Sequence, residues 1–504
     1  MGENALVKDE TLKQKYVAAM VLGAVGDSLG YYNGRWEFER SGERIHTELK
    51  RLGGLDALEV CPPKWIVSDD TVMHIATGRA LVQYGHRANF EDLFQTLAFE
   101  YKQCMTDMNG REPGLTCAEA CEKLDPWKTG GWRIPFNDRA GGCGAAMRAM
   151  CIGLRYPHED QLDDLIKVSI EAGRMTHHHP TGYLGSLTSA LFMSYAIRGK
   201  QLREWGAALI QNVVVMAKEY IEKDCVYNCD NVKHWSYFTE RWNEYLRLRN
   251  IADGKSEPIF PEYYKTNVNK RDQFYTFISY DNWGGSSGHD APLIAYDAIL
   301  ECNGNWQTLC ERGIFHGGDS DSTGIIAGSL FGALYGFNGV PEGNHSHVEK
   351  LADLVKIGES LFNLSFGKTS PGQCGNEANE PCTDVEQENP KSASGGEEET
   401  HRKENQMAFD QINGDTTNAR DCGKDTVIDE DAREEFNKKP HGSNAVTDVR
   451  NVNGSANVPT EEVFETNIDT NDTTVNYGSV QGVDRKSNGD CSTHIIAGTM
   501  ETHL

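Results

Sequence analysis

The sequence predicts an all-α fold, a helical bundle followed by a long acidic tail. Two observations predict it. Apolar residues recur at the three- and four-residue spacing of one helical face in a series of separate runs, while the period-two alternation of half-buried strands is scarce. All nine Trp residues lie before residue 310, so the large side chains that could build a core are concentrated in the first two thirds of the chain.

The last 137 residues, Lys368–Leu504, differ in composition from the rest. They contain 27 Asp and Glu against 12 Lys and Arg, a net charge of −15 out of −26 for the whole chain, and only four aromatic residues. Such a segment buries too little apolar surface to offset the entropy lost on ordering. We therefore expect an N-terminal extension at 1–12, one folded domain at 13–367 and a disordered acidic tail at 368–504.

Charge and cysteine usage exclude several classes of protein. The folded part keeps a net charge of −11 without a basic stripe, which argues against nucleic acid as a partner because phosphate backbones bind clustered Lys and Arg. The apolar run Tyr16–Val25 is too short to cross a bilayer, so no membrane is expected. The 14 Cys lack the spacing of a disulfide framework or a structural zinc site, which favours free thiols. A cytoplasmic monomer is expected.

The predicted helices follow one another along the domain. The first spans Leu12–Leu29, where Tyr16, Met20 and Ala24 share a face. The polar cluster Ser68–Thr71 opens the second, because Ser, Asp and Thr satisfy the unpaired amides of a first helical turn. Residues 200–280 indicate two or three amphipathic helices joined by a loop at Ala252–Lys270. The other predicted runs are Phe90–Met105, Gly144–Leu154, Gln161–Ala172, Thr181–Arg198, Ala291–Leu300, the residues after Gly324, and Leu351–Leu361.

Capping explains one acid at the start of the second helix better than it explains two. The positive end of a helix dipole would keep both carboxylates ionised, which is the state that a hard cation requires of its oxygen ligands. Asp69 and Asp70 are therefore candidate metal ligands as well as candidate caps.

A second acidic stretch, Gly318–Gly324, precedes a run whose small residues permit a close helix neighbour, and three interpretations compete for it. A calcium-binding EF-hand loop would need an acid or amide at Thr323 and a Glu at Leu330. A haloacid-dehalogenase phosphatase places Asp-x-Asp-x-Thr after a buried strand, and Phe315–Gly318 is not one. The third interpretation is a Mg²⁺ site in which two loops contribute oxygens. Its ligands would be Ser68, Asp69, Asp70, Asp319, Asp321 and Ser322.

Two glycine-rich loops could bind an anion or shape a pocket. Gly141–Arg148 leads into a helix, so its amides could hold an anion, although tight helix packing is the simpler explanation of the glycines alone. Trp283–Pro292 suggests a flexible loop that closes on a ligand, or else a plain turn. The consecutive histidines His177–His179 do not suit zinc, because neighbouring side chains diverge and helical zinc sites use positions i and i+4.

Taken together, these segments resemble the ADP-ribosylglycohydrolase family, and within it the ADP-ribosylarginine hydrolases and the bacterial dinitrogenase-reductase-activating enzymes. The resemblance extends from Lys13 to Gly367. Any one matching segment is weak, whereas six in the same order are specific. They are Gly26–Gly34, Val67–His74, Gly141–Met150, Gly173–Gly182, Trp283–Pro292 and His316–Thr323.

The resemblance implies an orthogonal helical bundle with two Mg²⁺ ions at the bottom of a cleft, held by the six ligands named above. The implied reaction is hydrolysis of the N-glycosidic bond between ADP-ribose and a protein arginine, which releases ADP-ribose and unmodified arginine. Asp69 or Asp70 would act as the base, and which of the two does so stays open.

Such a substrate gives roles to the remaining candidates. The backbone amides that could hold its pyrophosphate belong to Gly142, Cys143, Gly144, Gly284, Gly285 and Ser286. Tyr32, Trp36 and Trp283, with Asn33 beside them, are candidates for stacking on adenine or for shaping the arginine end. The alternative function is a binding module that holds ADP-ribose or ADP-ribosylated proteins with little or no turnover.

Overall fold

The beginning of the chain forms a long helix around which the rest of the domain packs. The computed structural model describes residues 3–224 and 227–367, and the predicted tail at 368–504 lies outside them. Helix α1 spans Glu3–Tyr31 and so includes residues 3–12 of the predicted N-terminal extension. From residue 18 to its end it is buried on every side, which identifies it as a central core helix rather than an amphipathic surface helix.

The other α-helices of the described ranges are connected by loops and by short 3₁₀ or π turns. They are α2 (Gly42–Arg51), α3 (Asp69–Tyr84), α4 (Phe90–Cys104), α5 (Leu115–Lys123), α6 (Met150–Arg155), α7 (Leu162–Arg174), α8 (Pro180–Arg198), α9 (Trp205–Ala208), α10 (Val214–Asp224), α11 (Asn228–Leu248), α12 (Glu262–Thr266), α13 (Val268–Ile278), α14 (Asp290–Cys302), α15 (Trp306–Gly313), α16 (Ser320–Tyr335), α17 (Glu342–His345) and α18 (Leu351–Phe366).

Two isolated bridges, Glu39 with Gly318 and Gly142 with Ser287, are all the β-structure that occurs in these ranges. The all-α prediction is therefore confirmed. No helix of the described ranges combines the length and the apolar character needed to cross a membrane.

Two predicted boundaries were wrong. The predicted loop Ala252–Lys270 contains α12 and the first turn of α13, which Asn267 caps by accepting the Lys270 N–H at 3.0 Å. The predicted helix Gly144–Leu154 is a 3₁₀ turn followed by the short α6. The Arg148 guanidinium donates to the Gly144 carbonyl at 2.7 Å, so a side chain occupies the acceptor that the Arg148 N–H would use in an α-helix.

Helices α1 and α16 approach each other closely along rows of small residues. A Cβ atom added to Gly26 would lie 2.0 Å from the Gly324 carbonyl oxygen. One added to Gly328 would lie 2.1 Å from the Leu22 carbonyl oxygen. Only glycine fits at these positions, so the prediction that the small residues of α16 admit a close neighbour is confirmed, and that neighbour is α1.

Helix α3 packs against α4, α6 and α18 and also contacts α1 and α16. The first turns of α3 and α16 both lie against the C-terminal end of α1, at Asp27 and Gly30. This arrangement brings together two acidic segments that are separated by about 250 residues of sequence.

Candidate active site

Two buried hydrogen-bonding residues hold the starts of α3 and α16 against α1. The carboxylate of Asp27, on α1, accepts the backbone N–H of Ser68 at 3.0 Å and that of Thr71 at 3.1 Å, and it also accepts the Thr71 hydroxyl. The Ser320 hydroxyl donates to the Gly30 carbonyl of α1 at 2.9 Å. The helix α1 thus serves as a common support for both acidic segments.

Helix capping accounts for some of the predicted metal ligands and not for others. Ser68 Oγ accepts the Asp70 N–H at 3.1 Å, and Asp319 Oδ1 accepts the Ser322 N–H at 3.4 Å. Asp69 and Asp70 cap nothing in this way. Asp70 Oδ2 is buried and has no hydrogen-bond partner among residues 3–224 and 227–367, a costly state for a carboxylate oxygen unless something binds it.

The acids of the two helix starts repel one another. Burial and the charge of Asp321 raise the pKa of both Asp69 and Asp70 well above the usual range. Burial and the charge of Asp319 do the same to the pKa of Asp321. Burial raises the pKa of Asp319 to about 6, and burial with the charge of Asp321 raises that of Asp27 to about 7. The site therefore holds more negative charge than its protein surroundings stabilise, which favours a bound cation.

The donor set suits a hard divalent cation, because carboxylate and hydroxyl oxygens are the ligands that Mg²⁺ prefers and Asp70 Oδ2 is without a partner. Within residues 3–224 and 227–367, no three His, Cys, Asp or Glu side chains already have the spacing of a complete metal-ligand set. An ion would have to draw the carboxylates together, and in doing so it would relieve their repulsion.

Sequence reasoning missed Glu37, in the loop after α1. Burial, followed by the charges of Asp321, Asp319 and Asp69, raises the pKa of Glu37 to about 11. The next residue, Phe38, donates its backbone N–H to the Gly318 carbonyl at 2.8 Å, so Glu37 lies beside the acidic α16 segment. Asp27 was missed as well, although an acid in an apolar helical run is a visible signal; a loop acid such as Glu37 gives no such signal.

The glycine-rich segments are linked to each other and to the acidic loop. The Cys143 N–H donates to the Ser286 carbonyl at 3.1 Å, and the Asp319 N–H donates to the Gly284 carbonyl at 2.7 Å. Cys143 Sγ lies 3.3 Å from Asp319 Oδ2. The Cys143 amide therefore has a partner within the protein, and its role in holding a pyrophosphate stays a prediction.

Two of the predicted glycines are required by close packing. A Cβ atom on Gly144 would lie 2.6 Å from His177 Cε1, and one on Gly285, where φ is +91°, would lie 2.5 Å from the Asp319 carbonyl oxygen. Gly142 also lies beside His177. The turn at 142–144 thus separates the acidic cluster, on the Cys143 side, from the His177 side.

A cavity of about 470 Å³, a size typical of small-molecule sites, has Thr176 in its lining, and the next residue, His177, packs against Gly144 of this turn. The half-buried ring of Phe136 lies in its wall with His234. Sequence reasoning missed this cavity, because its residues come from four separate segments. It is lined by Thr116, Glu119, Ala120, Lys123, Ile134, Pro135, Phe136, Asn137, Asp138, Thr176, Asp230, Lys233 and His234.

Comparison with known proteins shows the family. Residues 8–371 match the model of the ADP-ribosylglycohydrolase family. The chain belongs to this family. The match begins inside α1, before the predicted domain start at 13.

Named relatives of this glycohydrolase agree with the assignment. It is 43% identical over 371 residues to ADP-ribosylhydrolase ARH1 of Dictyostelium discoideum, covering 70% of this chain and 94% of that one. It is 31% identical over 332 residues to the putative ADP-ribosyl glycohydrolase L444 of Acanthamoeba polyphaga mimivirus, covering 62% of each. It is 24% identical over 329 residues to ADP-ribosyl-(dinitrogen reductase) glycohydrolase of Rhodospirillum rubrum, covering 64% of this chain and 85% of that one.

The predicted aromatic contacts of this glycohydrolase differ in their surroundings. Trp36 is only 1% exposed and donates its indole N–H to Glu48 at 2.9 Å. Its ring has almost no exposed surface, so of its two predicted roles, stacking on adenine and shaping the arginine end, packing behind Tyr32 is the one these contacts allow. Tyr32 is half-buried and stacks on Trp65 with ring centroids 4.1 Å apart, so one of its faces is also covered.

The other two predicted side-chain contacts, Asn33 and Trp283, also have neighbours within the protein. Asn33 is exposed and donates from Nδ2 to the Pro63 carbonyl at 3.1 Å. Trp283 is half-buried, with the Arg40 guanidinium carbon 4.1 Å from its ring centroid and Phe38 packed edge-on. Trp283 therefore has less free surface for a ligand than its place in a glycine-rich loop suggests.

Proposed function

We propose that this ADP-ribosylglycohydrolase is an ADP-ribosylarginine hydrolase that depends on two Mg²⁺ ions. The observation that carries the proposal is the buried cluster of oxygen donors at the starts of α3 and α16, in which Asp70 Oδ2 has no protein partner. The Rhodospirillum rubrum relative is named for an ADP-ribosylated protein as substrate, which supports a protein acceptor here.

The charge of the site supports arginine as the acceptor. An ADP-ribosylated arginine keeps a guanidinium cation beside the scissile bond, whereas an ADP-ribosylated serine is neutral there. The neighbouring acids and burial raise the pKa of Glu37 to about 11, and a guanidinium bound beside it would lower that pKa and pair with the ionised carboxylate. Such surroundings favour a cationic acceptor over a neutral one.

The reaction requires one water molecule and two proton transfers. Water adds to C1 of the ribose while the bond from C1 to the guanidine nitrogen breaks. Asp69 or Asp70 takes the proton of the attacking water, and the departing nitrogen keeps the bonding electrons and acquires a proton. Ser68, Asp69, Asp70, Asp319, Asp321 and Ser322 would hold the Mg²⁺ ions, which supply Lewis-acid stabilisation of negative charge on oxygen and orient the ribose hydroxyls.

We assign the cavity beside Phe136 to the nucleotide end of the substrate. The Phe136 ring is half-buried and contacts neighbouring rings, so adenine would use its exposed part, and Lys123 and Lys233 could contact the phosphates among the acids of the lining. Those acids are Glu119, Asp138 and Asp230. This arrangement replaces Trp36 as a stacking residue and leaves Tyr32 and Trp283 on the acceptor side.

The direct test measures release of ADP-ribose from arginine-linked and serine-linked substrates, each with Mg²⁺ and with a chelator. We expect release from the arginine-linked substrate only when Mg²⁺ is present. Equal release with the chelator would contradict the metal dependence, and preferential release from serine would contradict the acceptor. Tight binding of ADP-ribose in calorimetry without any release would favour the binding module.

A double variant tests the catalytic acids. Asp69→Asn with Asp70→Asn should lower turnover by about a hundredfold or more, because base and metal ligands are both lost. The matched control is Asp163→Asn with Asp164→Asn, an adjacent acid pair in the first turn of α7. Circular dichroism should show unchanged helix content in both, and full activity in the first variant would refute the assignment.

A further inference from the structure

The loop Ser279–Gly288 lies between two parts of the active site. Its Ser286 carbonyl accepts the Cys143 N–H at 3.1 Å, and its Gly284 carbonyl accepts the Asp319 N–H at 2.7 Å. A shift of this loop would therefore move both the 142–144 turn and the first acid of the α16 segment. The loop touches the catalytic machinery without contributing an acid to it.

A buried carboxylate accepts hydrogen bonds from this loop. Asp290, the first residue of α14, is 0% exposed and accepts the backbone N–H of Tyr280 at 3.0 Å and that of Ser287 at 2.9 Å. The Ser279 hydroxyl and the Gly285 backbone also interact with it. One carboxylate therefore ties together the two ends of the loop and its middle.

The neighbouring histidine strengthens the same connection. His289 is also 0% exposed; its Nε2 lies 3.1 Å from the Ile278 carbonyl and its Nδ1 lies 2.9 Å from Ser287 Oγ. The proposed reaction uses neither residue. The interpretation of the glycine-rich run as a flexible closing loop does not fit a segment anchored so extensively.

The backbone of the loop explains why it needs such an anchor. Asp281, Asn282 and Gly285 have φ angles of 53°, 60° and 91°, in the left-handed region that Asp, Asn and Gly adopt most readily. Three such residues within five positions turn the backbone sharply, and the hydrogen bonds from Tyr280 and Ser287 to Asp290 hold the two ends of this turn together.

We propose that Asp290 is a positioning residue for this reaction: it holds the Gly284 carbonyl where it fixes Asp319, and the Ser286 carbonyl where it fixes the Cys143 turn. That the positioned groups bind Mg²⁺ and ADP-ribose rests on the proposed function. The placement of the loop itself does not.

Hydrogen exchange on the wild-type protein gives the first test, since no variant has to fold. The amides of Tyr280 and Ser287 should exchange slowly for a loop, because a buried carboxylate accepts both of them. Exchange at the rate of an unprotected loop would overturn the proposal.

The variant Asp290→Asn gives the second test. It keeps the shape of the side chain but turns one acceptor oxygen into an N–H donor, so one of the two amides loses its partner. We expect about tenfold faster exchange at Gly285, Ser287 and Asp319, and about tenfold weaker ADP-ribose binding by calorimetry in Mg²⁺.

Asp297→Asn is the matched control. Asp297 lies two turns further along α14, is 4% exposed and accepts hydrogen bonds from Tyr245, Arg249 and Tyr275, none of them in the loop. It should lower the melting temperature but leave loop exchange and ADP-ribose affinity within about twofold. Equal effects of the two variants would overturn the proposal.

Absence of ADP-ribose binding by wild type would count against the proposed function. The comparison of exchange rates between Asp290→Asn and Asp297→Asn would still decide the role of Asp290.

Discussion

At the scale of single residues, the acids of the site differ in whether they have hydrogen-bond partners. Ser68 and Asp319 cap helices, and Asp27 has four hydrogen bonds from the start of α3, so ordinary structural roles account for all three. Asp70 Oδ2 has no such role. Burying an unpartnered carboxylate oxygen beside other acids lowers the stability of the fold. Groups that lower stability in this way are typical of binding sites and catalytic sites.

The adjacent acids Asp69 and Asp70 were visible in the sequence because two together exceed what a helix cap needs. A Mg²⁺ site that joins them to Asp319 and Asp321 was one of three interpretations of the second segment, and the family resemblance implied it. Glu37 could not be predicted, since its burial depends on how the loop after α1 folds over the cluster.

Glu37→Gln tests the charge crowding. Folding near pH 7 forces Glu37 to take up a proton, because burial and the neighbouring acids raise its pKa to about 11, whereas Gln needs none. In chelator the variant should therefore melt higher than wild type, by about 2–5 °C. Turnover in Mg²⁺ should fall by about tenfold or more, because the acids around the reacting ribose have changed. Thermal melts and steady-state kinetics measure the two effects.

Glu43→Gln serves as the control for Glu37, since Glu43 is an exposed acid at the start of α2. It should change neither quantity. If Glu37→Gln destabilised the metal-free protein, the mutual repulsion argued for the cluster would be wrong.

At the scale of elements, the contact between α1 and α16 determines whether the site forms. Glycines face carbonyl groups across this contact. Beside it, Asp27 of α1 accepts the Ser68 N–H at the start of α3, and Ser320 at the start of α16 donates to the Gly30 carbonyl of α1. The small residues of α16 predicted a close neighbour from the sequence. The identity of that neighbour could not be predicted, because α1 and α16 are almost 300 residues apart and helical periodicity carries no information on pairing.

Gly26→Ala tests this contact. A Cβ atom 2.0 Å from the Gly324 carbonyl oxygen would force the helices apart, and the free energy of unfolding should fall by about 2 kcal/mol or more. Urea denaturation measures it. Gly114→Ala is the control, because Gly114 has a φ of −61° and nothing within 4 Å of an added Cβ. It should cost less than about 1 kcal/mol, and equal costs would contradict the packing argument.

Glu100, on α4, gives a pH-dependent prediction away from the site. Burial raises its pKa from 4.5 to about 7 in the folded chain. The folded state therefore keeps a proton that the unfolded state releases, so this contribution to stability is present below pH 4.5 and is lost as pH rises to 7. Glu100→Gln does not titrate, so its stability relative to wild type should increase by about 2–3 kcal/mol between pH 5 and 8.

Urea denaturation at both pH values checks this prediction, with the exposed Glu119→Gln as control. The control should show the same difference from wild type at pH 5 and pH 8. A pH-independent effect of Glu100→Gln would mean that Glu100 is ionised in the folded chain throughout this range.

At the scale of the whole molecule, periodicity and composition predicted the helical class and the opening segments of α3 and α16. They did not predict the cavity beside Phe136, which four separate segments form. They also missed α12, since the five residues Glu262–Thr266 are too few to show a helical period. The orthogonal arrangement was implied by family resemblance, and residues 368–504, with the predicted tail, lie outside the described structure.

The central claim is that two distant acidic helix starts form one divalent-metal centre for ADP-ribose. Crystals grown with Mn²⁺ and ADP-ribose test it most directly, because Mn²⁺ replaces Mg²⁺ at oxygen sites and scatters anomalously. The account predicts two anomalous peaks, with carboxylate oxygens of both the Asp69–Asp70 pair and the Asp319–Asp321 pair within coordination distance, and the distal ribose above them. Peaks elsewhere, or ADP-ribose bound away from these acids, would contradict it.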